Sequence, residues 1–260
     1  MEYTYLDFRL DGGVATITLN RPEVYNALND EITYELQAVF KEVRKNSEVR
    51  LVVLTGEGKA FCAGQDLKAS SEVENRSFSE SLLKRYNPLI TLMRELPKPI
   101  IAKINGVAAG AGASLALACD VIVMAEEAFL VEVFINIGLV PDSGSSFFLP
   151  RLVGSRKAFE LASMGTRIYG PEAKAIGLVN ESVPLSELEG ATKKYIDYYV
   201  NSPTKAIGLI KKMLNKSTTA DLKEMLSYEA HMQEIAGRST DHEEGVNAFL
   251  EKRKANFKGE

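Results

Sequence analysis

The sequence predicts an α/β fold followed by a helical C-terminal region. The chain has 260 residues, of which 45% are hydrophobic and 25% charged, and this balance is typical of a globular protein with a large core. Up to about residue 131, short β-branched runs alternate with helical periodicity, which indicates a sheet with much parallel pairing. Beyond residue 171 helical periodicity dominates. We therefore expect a core over residues 1–199 and a helical region over residues 200–260.

Each element follows from its own pattern. β-branched runs predict strands at residues 14–19, 51–55, 100–104 and 121–124. A first helix is expected after Asn29 or Asp30, either of which can cap it, and its buried stripe is Ile32, Leu36, Val39, Phe40 and Val43. A second helix is expected over residues 77–94, before two prolines. The C-terminal helices are predicted at residues 185–200, 203–215, 222–235 and 241–254.

Composition and charge argue against several classes of protein. The net charge of −4, from 31 basic and 35 acidic residues, disfavours a nucleic-acid partner. The cysteines Cys62 and Cys119 and the histidines His231 and His242 do not have the common zinc-binding spacings, so we expect no metal. No apolar run reaches the roughly 18 residues of a membrane span, and residues 1–10 lack the pattern of a secretory signal. We therefore expect a reduced, cytoplasmic protein with no membrane partner.

The first segment that could bind a ligand or take part in catalysis is the glycine-rich loop at residues 56–67, directly after a strand. Glycines at positions 56, 58 and 64 permit positive φ and expose main-chain amides. Exposed N–H groups at a turn can hold an anion or a developing oxyanion. The alternative is an ordinary connection between a strand and a helix. Within this loop Cys62 is expected to be a small buried residue rather than a nucleophile.

The second segment, residues 105–120, is rich in small residues and follows another strand. Small side chains let a backbone approach a ligand closely, and the start of the helix expected here offers free amides. The alternative is tight packing of this helix against the sheet. Its glycine spacing matches neither the dinucleotide-binding motif nor a P-loop, and it lacks the second glycine of a nucleophile elbow.

The third segment, residues 138–154, places Asp142 among apolar residues near an expected helix start. One interpretation is a helix cap, a position that aspartate favours. The other is a carboxylate in a hydrophobic pocket, whose raised pKa suits it to accept a proton.

In this order, and with the opening loop at residues 19–28, these three segments resemble the crotonase superfamily, also called the enoyl-CoA hydratase/isomerase family, over residues 3–257. The resemblance implies a spiral core of repeated ββα units, a C-terminal helical trimerisation region, and assembly as a homotrimer or homohexamer. It also implies an acyl-CoA thioester as substrate. Coenzyme A then enters as part of the substrate, so no separate cofactor is implied.

The resemblance also assigns residues. The thioester oxygen is expected between the backbone N–H groups of Gln65 and Ala111. Asp142 is the expected proton acceptor. The residues implied in contacts with coenzyme A or the acyl group are Val24, Ala63, Gln65, Asp66, Leu67, Ala111 and Phe134.

Two departures from the family pattern narrow the chemistry. Hydratases of the family carry two glutamates, and the matching positions here hold Ser114 and Phe134. Glu132 lies two residues from Phe134 and is a reserve carboxylate, since on an extended segment both would share a face. Asp142 matches the aspartate of dienoyl-CoA and epoxyphenylacetyl-CoA isomerases, although the dienoyl enzymes add further acids that are absent here.

The resemblance therefore favours an acyl-CoA isomerase with one aspartate base, closest to the 1,2-epoxyphenylacetyl-CoA isomerase type and acting on phenylacetate-derived CoA esters. Aromatic residues at Phe134, Phe147 and Phe148 fit a ring-bearing acyl group and fit core packing equally well. The alternatives are an enoyl-CoA hydratase, another CoA-ester lyase or hydrolase of the family, and a non-catalytic acyl-CoA-binding subunit.

Overall fold

Two β-sheets form the centre of the computed structural model, which describes residues 3–71 and 77–260. In spatial order the larger sheet contains β1 (Leu6–Asp11), β2 (Val14–Leu19), β3 (Leu51–Gly56), β5 (Ile100–Ile104), β7 (Val121–Ala125) and β10 (Glu181–Val183). The smaller contains β4 (Ala60–Cys62), β6 (Val107–Ala109), β8 (Phe129–Val131) and β9 (Ile168–Tyr169). All neighbours pair in parallel except β1 with β2 and β8 with β9.

The chain spirals by adding one strand to each sheet in turn. The pairs β3–β4, β5–β6 and β7–β8 each place a strand in the larger sheet and the next strand in the smaller one. Every residue of β3 and β7 is buried, as expected for parallel strands covered on both faces. The predicted α/β class and its ββα spiral are confirmed. The short strands of the smaller sheet were missed because three residues are too few to show a period.

The N-terminal helices occur where the periodicity placed them. Helix α1 (Asp30–Lys45) is capped by Asn29, whose side chain accepts a hydrogen bond from the Ile32 amide at 3.0 Å. The second predicted helix is α3 (Phe78–Ser81), a π-helical turn (Leu82–Tyr86) and α4 (Asn87–Glu95), preceded by the short α2 (Leu67–Ser71). The π-turn is invisible in the sequence pattern, and it changes which side chains point inward.

The remaining helices all follow β6 in the chain. They are α5 (Ala111–Leu117), α6 (Ser145–Met164, kinked at Gly154), α7 (Gly170–Ala175), α8 (Leu188–Val200), α9 (Thr204–Ser217), α10 (Leu222–Gly237) and α11 (Thr240–Leu250). The last helix stops at Leu250 and not at the predicted residue 254. The division at residue 199 stays a prediction. Among the described helices, none is both long and apolar enough to cross a membrane.

Candidate active site

The first two glycine-rich loops are in backbone contact. A methyl group placed on Gly112 would lie 2.2 Å from the Cys62 carbonyl oxygen, so only glycine permits this approach. Gly64 has a φ of +89°, and a methyl group placed there would lie 2.6 Å from the Ala109 oxygen and 3.4 Å from the Ala111 nitrogen. The loops at residues 56–67 and 105–120 therefore approach each other through their backbones, with Gly64 next to the segment that begins α5.

The N–H groups of Gln65 and Ala111 are both available to a ligand. Leu28 bridges the residues on either side of Gln65, since its N–H donates to the Gly64 oxygen at 2.7 Å and its carbonyl accepts from Asp66 at 3.0 Å. Ala111 is the first residue of α5, where amides have no partner within the helix. Throughout residues 3–71 and 77–260, neither N–H has an acceptor. Two adjacent free amides can stabilise an oxygen that gains negative charge.

The Gln65 side chain is held by two residues that the sequence did not indicate. Its Oε1 accepts a hydrogen bond from Arg85 Nη2 at 2.7 Å and another from the Tyr86 hydroxyl. Arg85 is 2% exposed and also pairs with Asp30. In sequence, Arg85 resembles an exposed helical residue, but the π-turn directs it into the protein.

The opening loop packs onto the first glycine-rich loop. Tyr25 and Asn26 have positive φ, which turns the Asn26 amide inward to donate to the Glu57 and Ala60 oxygens at 2.9 and 2.8 Å. The Ala63 amide donates to the Tyr25 oxygen at 2.9 Å. These contacts place the predicted coenzyme A residues near one another.

Among the predicted coenzyme A residues, Asp66 stabilises the local structure. Its carboxylate accepts hydrogen bonds from the Ala69 amide at 3.1 Å and from Arg21 at 3.0 Å, and these contacts lower its pKa. Leu67 is 58% exposed, and Val24 and Ala63 are half-buried. The apolar side chains are therefore open to a ligand, while the Asp66 side chain already has partners.

Asp142 lies in the loop before α6 and does not cap the helix. The residue before α6 is Gly144, so the helix-cap interpretation of Asp142 is wrong. Ser143 and Gly144 have φ values of 52° and 91°, which turn the chain sharply. The half-buried Asp142 carboxylate accepts a hydrogen bond from Ser143 Oγ at 2.8 Å.

Burial raises the pKa of Asp142, while the Ser143 hydroxyl and the charge of Arg85 oppose that rise. Arg85 therefore acts on Asp142 and also binds the Gln65 side chain. Arg85 thus links the Asp142 carboxylate electrostatically to the Gln65 side chain.

Comparison with known proteins agrees with this geometry. The sequence profile of the enoyl-CoA hydratase/isomerase family matches residues 9–260. The chain belongs to this family. It is 40% identical to a Rhodobacter capsulatus protein named "Probable enoyl-CoA hydratase", over the full length of both chains. It is 39% identical to the 1,2-epoxyphenylacetyl-CoA isomerase of Escherichia coli, covering 96% of this chain and 97% of the relative.

A solved structure shows the shared fold of the family. The enoyl-CoA hydratase of Bacillus anthracis superposes with a TM-score of 0.94 at 34% identity, over 99% of this chain and 100% of that one. A match of this extent includes both sheets and the C-terminal helices. The crotonase-like architecture predicted from the motifs is confirmed.

Of the three aromatic residues expected near the acyl group, Phe147 and Phe148 pack edge to face with ring centroids 5.4 Å apart, whereas Phe134 has other neighbours. Phe134 is 7% exposed and lies against the second loop, where a methyl group on Gly110 would be 3.6 Å from its ring. Phe148 is buried beneath Gly144. Phe147 is half-exposed, packs under the Arg151 guanidinium at 3.7 Å, and lines a groove facing α9. Phe134 is therefore the one of the three that lies against the loop leading to Ala111.

At the positions where the resemblance places the hydratase glutamates, the site offers no carboxylate. Ser114 is fully buried, and Phe134 cannot exchange protons. Glu132 does not share a face with Phe134, because Val133–Ile137 forms a 3₁₀ turn and not an extended segment. Glu132 instead turns inward to Ser145. Cys62 is a buried free cysteine, as expected, and burial raises the pKa of its thiol to about 12.

Proposed function

We propose that this protein is an acyl-CoA isomerase that shifts a double bond through a thioester enolate, with Asp142 as its single base. The observation that carries the proposal is the half-buried Asp142 carboxylate, whose pKa is raised by burial and which interacts electrostatically with Arg85, the buried arginine that binds the Gln65 side chain. A C–H group next to a thioester carbonyl is only a weak acid. A carboxylate can deprotonate them only when the enolate oxygen is stabilised.

In this mechanism the substrate carbonyl oxygen accepts hydrogen bonds from Gln65 N–H and Ala111 N–H. Such donors are typically worth about 3–4 kcal/mol each in the transition state. Asp142 removes a proton from one carbon, and the electrons of that C–H bond delocalise onto the thioester oxygen. The same carboxyl group returns the proton two carbons away, so the double bond moves and no atom is gained or lost. Coenzyme A belongs to the substrate, and this chemistry needs no further cofactor.

The environment of Asp142 suits proton transfer. Partial burial raises its pKa and makes it a stronger base, while the charge of Arg85 and the Ser143 hydroxyl keep the carboxylate available. A buried serine and a buried phenylalanine replace the two hydratase glutamates, which favours isomerisation over addition of water. Hydration is the second candidate, favoured by the name of the Rhodobacter relative.

Two features support CoA esters derived from phenylacetate as substrates. The Escherichia coli relative is a 1,2-epoxyphenylacetyl-CoA isomerase. Phe134 also presents an aromatic ring beside the second loop, where a ring-bearing acyl group would lie. We place the coenzyme A moiety against the surface formed by Val24, Ala63 and Leu67.

The C-terminal helices support a homotrimer or homohexamer. Helices α9, α10 and α11 expose a set of large apolar side chains, which is typical of a protein interface. These residues are Ile210, Leu214, Leu222, Leu226, Val246, Phe249 and Leu250.

Substitution of the base tests the isomerase proposal. Asp142→Asn keeps the side-chain shape but cannot accept a proton, so turnover of a 3-enoyl-CoA ester to the 2-enoyl ester should fall by about two to four orders of magnitude. Affinity for a stable acyl-CoA analogue, measured by isothermal titration, should stay unchanged. The exposed Asp11→Asn is the matched control and should behave as wild type. Near-normal turnover in Asp142→Asn would show that another group is the base.

A further inference from the structure

A line of buried hydrogen-bond contacts joins Glu132 to the main chain of Asp142. Ser145 Oγ lies 2.8 Å from Glu132 Oε1 and 2.8 Å from Ser114 Oγ. Ser114 Oγ also lies 3.0 Å from the Asp142 carbonyl oxygen and 3.2 Å from the Gly110 carbonyl oxygen, so its single proton is shared between two carbonyl acceptors. Glu132 is 4% exposed, and both serines are fully buried. This Glu132–Ser145–Ser114 relay lies outside the catalytic steps described above.

The hydrogen bonds of the relay need a fixed number of protons, and this number decides whether Glu132 is neutral or ionised. With the Ser114 proton shared between the two carbonyl oxygens, the contacts of Glu132 with Ser145, of Ser145 with Ser114 and of Ser114 with these carbonyls need three protons, and each serine hydroxyl supplies one. The Asp142 and Gly110 carbonyl oxygens can only accept, so Ser114 must donate to them and Ser145 must donate to Ser114. The third proton then lies between Ser145 and Glu132 and has to come from the carboxyl group.

An ionised Glu132 would reverse this order. Ser145 would then donate to the carboxylate and Ser114 would donate to Ser145. The contact from Ser114 to the Asp142 carbonyl oxygen would have no proton. All three contacts are satisfied together only when Glu132 is neutral.

A second observation points the same way. Within the described part of the chain, Glu132 Oε2 is buried with no hydrogen-bond partner. A bare carboxylate oxygen in such a place is very unfavourable, whereas the carbonyl oxygen of a neutral acid costs much less. The surrounding small cavity is lined mainly by aliphatic side chains, among them Leu130, Leu149, Leu161 and Ile168.

Burial and a neighbouring charge favour the neutral acid as well. The pKa of Glu132 is raised to about 7: burial raises it most, the negative charge of Asp142 raises it as well, and a hydrogen bond from Ser145 to the ionised carboxylate would oppose the rise. The polar groups of α5 and α6 that face Glu132 are the two serine hydroxyls. Near β9, the cavity beside Glu132 is lined by Thr166 and aliphatic residues. Asp142 is the charged group that acts on Glu132.

We propose that Glu132 is a positioning residue, held as a neutral carboxylic acid whose proton orients the relay and fixes the Asp142 peptide. The Asp142 carbonyl oxygen then accepts from Ser114 Oγ and from the Ser145 amide, both at 3.0 Å. This anchors a loop with two successive positive φ values, and so aims the carboxylate. The inference rests on the proposed function, in which Asp142 is the base.

The turnover of wild type and variants as a function of pH tests the role in positioning. In wild type, ionisation of Glu132 should lower kcat on the alkaline side, because the Asp142 carbonyl loses one hydrogen bond. Glu132→Gln keeps a donor at every pH, so its kcat should stay within about threefold of wild type and lack that alkaline fall. Ser145→Ala interrupts the relay and should lower kcat about tenfold, the equivalent of one hydrogen bond. If kcat of Glu132→Gln falls at alkaline pH as it does in wild type, the proposal is overturned.

An infrared measurement tests the proton itself without any turnover. The difference spectrum between wild type and Glu132→Gln at pH 6 should show the carbonyl-stretch band of a protonated carboxylic acid. Absence of this band would overturn the proposal even if the enzyme is active. If the band is present and wild type isomerises no enoyl-CoA ester, the proposed function fails and the protonation assignment stands.

Discussion

Arg85 donates a hydrogen bond from Nη2 to Gln65 Oε1 at 2.7 Å, across 20 positions of sequence. The same guanidinium pairs with Asp30 and acts electrostatically on Asp142. A single buried cation therefore orients the residue that supplies one free amide and also lowers the pKa of the proposed base. This couples the two halves of the site, and its removal should affect both.

Loss of the Arg85 charge should move the pH dependence of turnover. In Arg85→Gln the pKa of Asp142 rises further, so the base stays protonated to higher pH and the acidic limb of kcat shifts upward. Arg85→Lys keeps the charge but loses the planar fork, so it should lower kcat by about tenfold with the acidic limb in place. The measurement is kcat against pH, with the exposed Arg9→Gln as control. An unmoved acidic limb in Arg85→Gln would contradict the electrostatic role.

Gly112→Ala should separate the two loops that carry the free amides. The added methyl group would lie 2.2 Å from the Cys62 carbonyl oxygen, so the backbone must shift, with a cost of about 1–3 kcal/mol in stability and a large loss of turnover. Gly190→Ala in α8 is the matched control, because its methyl group meets nothing within 4 Å and should add up to about 1 kcal/mol of stability. Urea unfolding and turnover check both variants. Full activity in Gly112→Ala would rule out the close approach.

The raised pKa of Glu132 should make stability depend on pH. The native state holds this proton up to about pH 7, whereas an unfolded glutamate loses it near its ordinary value of 4.5. Stability due to this group is therefore full below pH 4.5 and declines as pH rises toward 7, by up to about 3 kcal/mol. Glu132→Gln does not titrate, so its stability relative to wild type should be greater at pH 8 than at pH 5.

Urea unfolding at both pH values and one fixed protein concentration measures this difference. The exposed Glu126→Gln is the control and should show no such dependence. An equal effect of Glu132→Gln at the two pH values would mean that the carboxyl group is ionised throughout.

The exposed apolar residues of the C-terminal helices should mediate assembly. Wild type should have three or six times the chain mass of 28.6 kDa in light scattering. Phe249→Glu on α11, where the ring is 83% exposed, should shift the protein toward the monomer. Tyr198→Glu on α8, 68% exposed and away from these helices in sequence, should leave the mass unchanged. A wild-type monomer would end this proposal.

The sequence by itself determined the class of the fold, most of the long elements and the glycine-rich character of the two loops that meet. The reason is local. β-branched runs such as Leu51–Gly56 and the apolar stripe of Asp30–Lys45 have periods that specify strand and helix. Glycines at positions 64 and 112 signal close backbone approach, since no other residue fits there.

Tertiary structure decided how the site is supported. Whether Asp142 capped a helix depended on where α6 begins, and whether Glu132 shared a face with Phe134 depended on a 3₁₀ turn between them. Arg85 lies in a π-turn, and its buried side chain binds Gln65, which is 20 residues away in sequence. Hydrogen bonds between distant segments and the low dielectric of burial set these contacts and pKa values, and neither leaves a periodic trace in the chain.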